Sequence, residues 1–167
     1  MPRTCDTSKS PPAPPVRVRK VIKPMTAEQC AYLAGILDGE GYITLSRKRD
    51  HTGCRRPFSF RPLVEVSNTN PRLLQWLEET TGFGVSRPCN RTSTAHKPAK
   101  RWACWSQQAR QVVEVALEYL VLKRPQAEIL LDFCSRVRSA PWLTDEEYAE
   151  QAEAHAWLAV LNKKGIG

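Results

Sequence analysis

An α+β fold with an antiparallel sheet is what the sequence predicts, on three observations. Segments of strand character come in two pairs, near 42–48 with 58–67 and near 84–88 with 101–106. A segment of helical period precedes each pair and further helices follow, giving the order helix, two strands, helix, two strands, then helices. The chain has 167 residues, enough for one core and hardly two.

Residues 1–24 hold six of the thirteen prolines together with Arg3, Lys9, Arg17, Arg19, Lys20 and Lys23, and show no apolar period. They read as an extended, disordered leader before a single domain over 25–164. As a basic arm the leader would add phosphate contacts; as a tail it would be inert. Order begins at Thr26, which stands at capping-box spacing from Gln29, and a helix follows to about Asp38 before Gly41 breaks it. In 42–48, Ile43 and Leu45 alternate with Thr44, Ser46 and Lys48, the pattern of a half-buried strand. Residues 49–57 form a basic loop with Gly53 and Pro57. Beyond it, Phe58, Phe60, Val64 and Val66 share one strand face and Ser59, Arg61 and Glu65 the other.

Asn70-Pro71 is a helix start, with Asn as cap and Pro in the first turn; Leu73, Leu74 and Leu77 give its apolar side and Gly82 its end. The loop between the last two strands is polar and carries Arg91, His96, Lys97 and Lys100. Helices near 108–119, 125–138 and 144–161 complete the chain, with Pro125 and Pro141 at boundaries. There is no internal repeat.

Lys and Arg exceed Asp and Glu by 25 to 17, a net charge of +8, which favours a polyanionic partner, nucleic acid before a membrane surface. The six cysteines form no CxxC pair and have no His at zinc-finger spacing, which argues against zinc ribbons and fingers. Scattered single cysteines suit reduced thiols inside a cell, filling space as small hydrophobes. No apolar run approaches the about 20 residues that span a bilayer, and the N-terminus lacks an apolar signal region. It is basic with few acids, which leaves a transit peptide open as a rival to a simple arm. Walker, Rossmann, GxSxG and HExxH motifs are missing, and His51, His96 and His155 are isolated, as loop or helix-surface residues.

Residues 33–41 read Leu-Ala-Gly-Ile-Leu-Asp-Gly-Glu-Gly. Leu33, Ile36 and Leu37 fall on one helix face; Ala31, Ala34, Gly35 and Asp38 fall on another whose small residues would admit a second helix. Asp38 and Glu40 stand at a helix C-terminus, where the unpaired carbonyls repel negative charge, so a compensating cation is expected and a divalent metal is the economical one. On the strands, one face of Arg, Lys, Ser, Thr and Glu would form a wet, basic sheet surface of the kind that fits a DNA groove. The candidate contacts are Thr44, Ser46, Lys48, Ser59, Arg61, Glu65, Arg87 and Arg101; an ordinary solvated face is the other reading.

The 33–41 string resembles the LAGLIDADG motif of homing endonucleases. Positions 33, 34, 35, 38 and 41 match, Gly39 serves as a small residue, and Ile36, Leu37 and Glu40 are close in chemistry. With one motif, the chain resembles the homodimeric type. The resemblance implies an αββαββα core, a saddle-shaped sheet facing double-stranded DNA, and helices on the other face. It also implies two copies packed through their 26–38 helices by way of Ala31, Ala34, Gly35 and Asp38. The implied metal is Mg²⁺, with Mn²⁺ or Ca²⁺ standing in for binding. It would be held by Glu40 and the Gly39 carbonyl, with Asp38 a lesser candidate and more readily a hydrogen-bond acceptor. Glu40 replaces the commoner Asp and reaches one methylene farther. Three further positions carry weaker echoes: Asn68 as a holder of active-site water, Arg72 near the scissile phosphate, and Lys123 as the catalytic lysine.

The expected reaction is hydrolysis of both strands of a long, near-palindromic target, leaving 5′-phosphate and 3′-hydroxyl ends and promoting intron or intein mobility. No small-molecule cofactor and no membrane are expected, and the location is an organelle or a bacterial or phage cytoplasm. The rival is a catalytically silent binder on the same fold, as an RNA maturase or transcription regulator; a basic structural RNA-binding protein is more remote.

Overall fold

The computed structural model describes residues 20–49, 56–89, 98–136 and 143–163. Its elements are α1 (Ala27–Glu40), β1 (Gly41–Arg49), β2 (Phe58–Asn68), α2 (Pro71–Thr81), β3 (Val85–Pro88), β4 (Lys100–Trp105), α3 (Gln107–Ala116), a 3₁₀ turn (Leu117–Tyr119), α4 (Arg124–Arg136) and α5 (Asp145–Leu161). This is the expected order. His51, His96, Arg91, Lys97 and most of the leader lie outside the described residues, while Lys100, read as loop, opens β4.

Local chemistry fixes the helix starts. Thr26 accepts from Gln29 N–H while the Gln29 side chain accepts from Thr26 N–H, so two otherwise unpaired amides are satisfied. Asn70 caps α2 through Arg72 N–H, with Pro71 in the first turn. Thr144 and Glu147 form a second capping box at α5, which the sequence reading did not single out.

The strands form one antiparallel sheet in the order β1-β2-β4-β3. Its helix-covered face carries Ile43, Val64, Val66, Trp102 and Cys104, all fully buried with Leu33, Leu37, Leu77, Val112 and Leu130. Trp102 is the largest of them, and its indole N–H donates to the Phe83 carbonyl, so its one polar atom is satisfied. A smaller cluster of Leu45, Phe133 and Leu158 joins α4 and α5 to β1.

β1 is an edge strand, and α5 closes that edge. Asn162 donates to the Ile43 carbonyl at 2.9 Å and His155 Nδ1 meets the Leu45 carbonyl at 2.8 Å. A carbonyl only accepts, so His155 carries its proton on Nδ1. His155 is therefore a half-buried edge cap and not the helix-surface residue expected, and alternate β1 carbonyls are withheld from a foreign strand.

Residues 20–24 also depart from the expectation of a disordered leader. Ile22 N–H donates to Gln111 Oε1 at 2.7 Å, the Lys20 carbonyl accepts from the same amide group, and Lys23 Nζ donates to the Glu79 carbonyl at the end of α2. One glutamine that both donates and accepts can hold an extended backbone as a strand would, and Ile22 and Met25 pack against the core beside it.

Candidate nucleic-acid interface and acidic helix end

α1 delivers its last turn to one end of the sheet. Gly41 follows directly, its N–H donating to the Leu37 carbonyl, and a Cβ on Gly41 would meet Leu37 Cα and O at 2.6 Å. Only glycine lets the chain pass that closely from helix to strand. The pairing Gly41↔Val66 then sets Glu40 beside the end of β2, where Asn68 and the start of α2 follow. Of the four catalytic candidates, Lys123, from the segment before α4, reaches the turn that carries Glu40, while Asn68 ends β2 and Arg72 stands in the first turn of α2.

Their surroundings differ. Asp38 accepts three backbone N–H groups, from Val121 at 2.9 Å, Leu122 at 3.2 Å and Lys123 at 2.8 Å, just ahead of α4. Lys123 returns the contact: its ammonium donates to the carbonyls of Leu37 at 2.7 Å, Asp38 at 2.9 Å and Gly41 at 2.6 Å. A carboxylate therefore sits at the N-terminus of α4 and an ammonium at the C-terminus of α1, each at the helix end that stabilises it. The cation expected to offset the helix-end acids is supplied in part by Lys123. Burial pushes the Lys123 pKa down, and the negative charges of Asp38 and Glu40 oppose that shift.

An ammonium has three protons, and here all three lie on carbonyls. Lys123 holds the 37–41 turn and acts outward only through its charge. Asn68 Oδ1 closes a turn onto Asn70 N–H at 2.8 Å, and strand alternation puts Asn68 on the helix side with Val66. Among the described residues, Glu40 and Arg72 are the candidates whose side chains are exposed and make no hydrogen bond or ion pair. The Gly39 carbonyl is not among those taken by Lys123.

On the helix face assigned to a partner, Ala31 and Gly35 are exposed and Asp38 is partly exposed, but Ala34 is fully buried in the chain's own core. That corrects the reading of Ala34. Helix α1 packs on the sheet and α3 together, so its buried arc is wider than Leu33, Ile36 and Leu37 alone. The exposed stripe instead includes Tyr32, whose ring stands edge-on to Trp76 at 4.7 Å, and it continues to Val121 and Leu122, 80% and 70% exposed.

The sheet's open face gathers the predicted contacts. Register places Ser46 opposite Arg61, Lys48 opposite Ser59, Ser67 opposite Arg101, and Arg87 opposite Arg101, so all eight predicted side chains share one face. Lys48, Arg61, Arg87 and Arg101 are exposed. Glu65 is paired with Arg101 at 3.4 Å. Thr44 is the exception: it lies in the middle of the face beside Leu63 and is only 5% exposed, so as a contact it offers little more than its surface edge. The sequence reading passed over Tyr42, Val85 and Trp105, which share this face and are each about two-fifths exposed. Alternation aligns Tyr42 with Thr44 and Trp105 with Arg101, so their place on this face is legible in the chain.

Among the described residues no three or more His, Cys, Asp or Glu side chains cluster to hold a metal, and no helix is long and apolar enough to cross a membrane.

Known structures share this architecture. The homing endonuclease I-CvuI in complex with its target, in the presence of Ca, superposes with a TM-score of 0.69 at 20% identity over 83% of this chain and 85% of that one. It has also been solved with a second target and Mg. The archaeal intron-encoded homing endonuclease I-Vdi141I, complexed with DNA, gives 0.68 at 13% identity over 83% and 86%. The LAGLIDADG homing endonuclease I-SmaMI bound to cleaved DNA gives 0.64 at 15% identity over 90% of this chain and 49% of its own. No family model and no curated protein matches the sequence. The fold is that of the LAGLIDADG homing endonucleases, as the 33–41 string implied.

Proposed function

We propose that this chain is a homodimeric, metal-dependent DNA endonuclease that cuts both strands of a long, near-palindromic site. The observation that carries the proposal is the coincidence of an exposed, unpaired Glu40 at the end of α1 with a sheet face on which Lys48, Arg61, Arg87 and Arg101 are exposed together. In this reading the acid would lie near passing phosphates when that face entered a major groove.

Dimerisation is supported by two glycines. A Cβ on Gly35 or Gly39 would meet nothing within 4 Å in the chain itself. Glycine inside a helix costs about 1 kcal/mol relative to alanine, so each needs a reason outside the monomer. A second α1 crossing at this stripe provides one, with Tyr32, Val121 and Leu122 covered by the same contact. Two copies would bring two Glu40 carboxylates and two Gly39 carbonyls together. Those hard oxygen donors suit Mg²⁺, completed by phosphate and water, and a single protomer offers too few. The metal would polarise the phosphate and lower the pKa of water. Arg72 would face the phosphate, and Lys123 would fix the 37–41 turn and contribute positive field. Asn68 would contribute its amide nitrogen. Intron or intein mobility and an organellar or bacterial setting belong to the same reading.

Because Lys123 and Asn68 Oδ1 are engaged within the chain, the silent-binder alternative has a specific observation behind it. The test is a DNA pool of randomised duplexes incubated with Mg²⁺, comparing wild type with Glu40→Gln. Wild type is expected to bind and to leave 5′-phosphate ends, and Glu40→Gln to bind without cutting. Wild type that binds and never cuts overturns the endonuclease reading. For the dimer, Gly35→Leu is expected to fold and to sediment as a monomer; a wild type that is monomeric at micromolar concentration overturns it.

A further inference from the structure

The open face is banded. At one end stand Ser46, Lys48, Ser59 and Arg61; at the other stand Ser67, Arg87 and Arg101. Between them, register lines up Thr44, Leu63 and Trp105 in one row, and Tyr42, Glu65, Ala103 and Val85 in the next. The Glu65 carboxylate is drawn toward Arg101, which leaves an apolar wall of Val85 and Trp105, each about two-fifths exposed, with the buried Ala103 between them at its floor. The wall lines a groove of about 350 Å³ together with the polar side chains of Arg87, Arg101 and Glu65 and with Pro88 and Cys89.

An apolar wall on the β4–β3 edge of a basic sheet face has few partners. Base edges in the major groove are polar except for one group, the methyl on C5 of thymine. Apart from the indole N–H of Trp105 the wall offers only carbon, so it gains little from guanine or cytosine edges and leaves most of their polar atoms without partners. Against a C5-methyl it removes apolar surface on both sides.

We infer that the Val85–Ala103–Trp105 wall reads a C5-methylated pyrimidine, thymine in ordinary DNA, so that each half-site carries an obligatory methyl flanked by positions that Arg87 and Arg101 contact. The inference rests on DNA binding by this face, as proposed above, and not on cleavage.

The test is selection from randomised duplexes on the full-length protein in Ca²⁺, followed by affinity measurement on the selected duplex. Three versions are compared: thymine, uracil at every thymine, and 5-methylcytosine in place of thymine with guanine opposite. Loss of each contacted methyl is expected to weaken binding about fourfold, the value of one apolar carbon buried. The 5-methylcytosine duplex separates the methyl from the rest of the base: tighter binding than to thymine identifies methylated cytosine as the source, weaker binding identifies thymine. Val85→Thr with Trp105→Gln, both on the exposed face, is expected to melt like wild type and to bind thymine and uracil duplexes alike. Arg87→Gln is expected to bind both more weakly while keeping their ratio. Equal affinity for thymine and uracil duplexes, or a ratio that survives the double variant, overturns the inference and leaves the nuclease proposal standing. Failure to enrich any duplex overturns both.

Discussion

Asp38→Ala removes the acceptor for three backbone amides at once, those of Val121, Leu122 and Lys123. Hydrogen bonds to a charged group contribute about 1.5–3 kcal/mol each when buried. Here the first two amides belong to exposed residues, which water can rehydrate, and the three bonds share one carboxylate and do not add. The favourable charge at the start of α4, about 0.3–1 kcal/mol, goes too. The expected loss is about 2–4 kcal/mol in stability. Asp38→Asn keeps Oδ1, which serves Leu122 and Lys123, and turns an amide group toward Val121 N–H, so about 1–2 kcal/mol is expected. Glu40→Gln is the control: it touches no partner and should lie within about 0.5 kcal/mol of wild type. Urea unfolding at fixed protomer concentration, with unchanged slope, measures all three. If Asp38→Ala unfolds at the wild-type midpoint, or Asp38→Asn is as weak as Asp38→Ala, the carboxylate does not clamp α1 to α4 and the account of the helix end is wrong.

Gly84→Ala should cost about 3 kcal/mol or more, since Gly84 has φ +90° and an added Cβ would overlap the Trp102 indole; a melting temperature and near-ultraviolet spectrum matching wild type would refute this. Burial pushes the Cys104 thiol up, and burial with the Glu114 charge pushes Cys134 up to about 11 from its ordinary 9.0 against the opposing effect of Arg110. Both should therefore be alkylated far more slowly in the folded protein at pH 8 than after unfolding, read by mass spectrometry. The sign for stability follows: unfolded chains lose these protons first, so the contribution is whole below pH 9 and falls as pH rises through about 11. Unfolding curves that do not shift across that range would refute it.

Much of this molecule is written locally. The Thr26–Gln29 capping box, the Asn70-Pro71 start and the alternation in β1 and β2 set elements whose bounds the structure moves by a residue or two. The period of two also assigned Ser46, Lys48, Arg61, Glu65, Arg87 and Arg101 to one face, because side-chain direction in a strand depends only on parity. The 33–41 string named the fold, since its small residues and acids are tied to one packing arrangement.

What parity and period do not carry is who lies opposite. Ala34 stood on the small-residue stripe by spacing, yet α3 and the sheet together bury it, and a helical wheel has no means of showing how many neighbours a helix has. Asp38 is unfavourable beside its own helix dipole, and the amides that welcome it are 83 to 85 residues away. Lys123 lies as far from the carbonyls it holds, and Gln111 from the segment at 20–22 that it orders. The sequence by itself determined the elements, the residues that share the open sheet face and the acid to test. Only the tertiary structure decided which charges neutralise each other, because an ion pair or helix cap is a matter of a few ångströms in space and leaves no period in the chain.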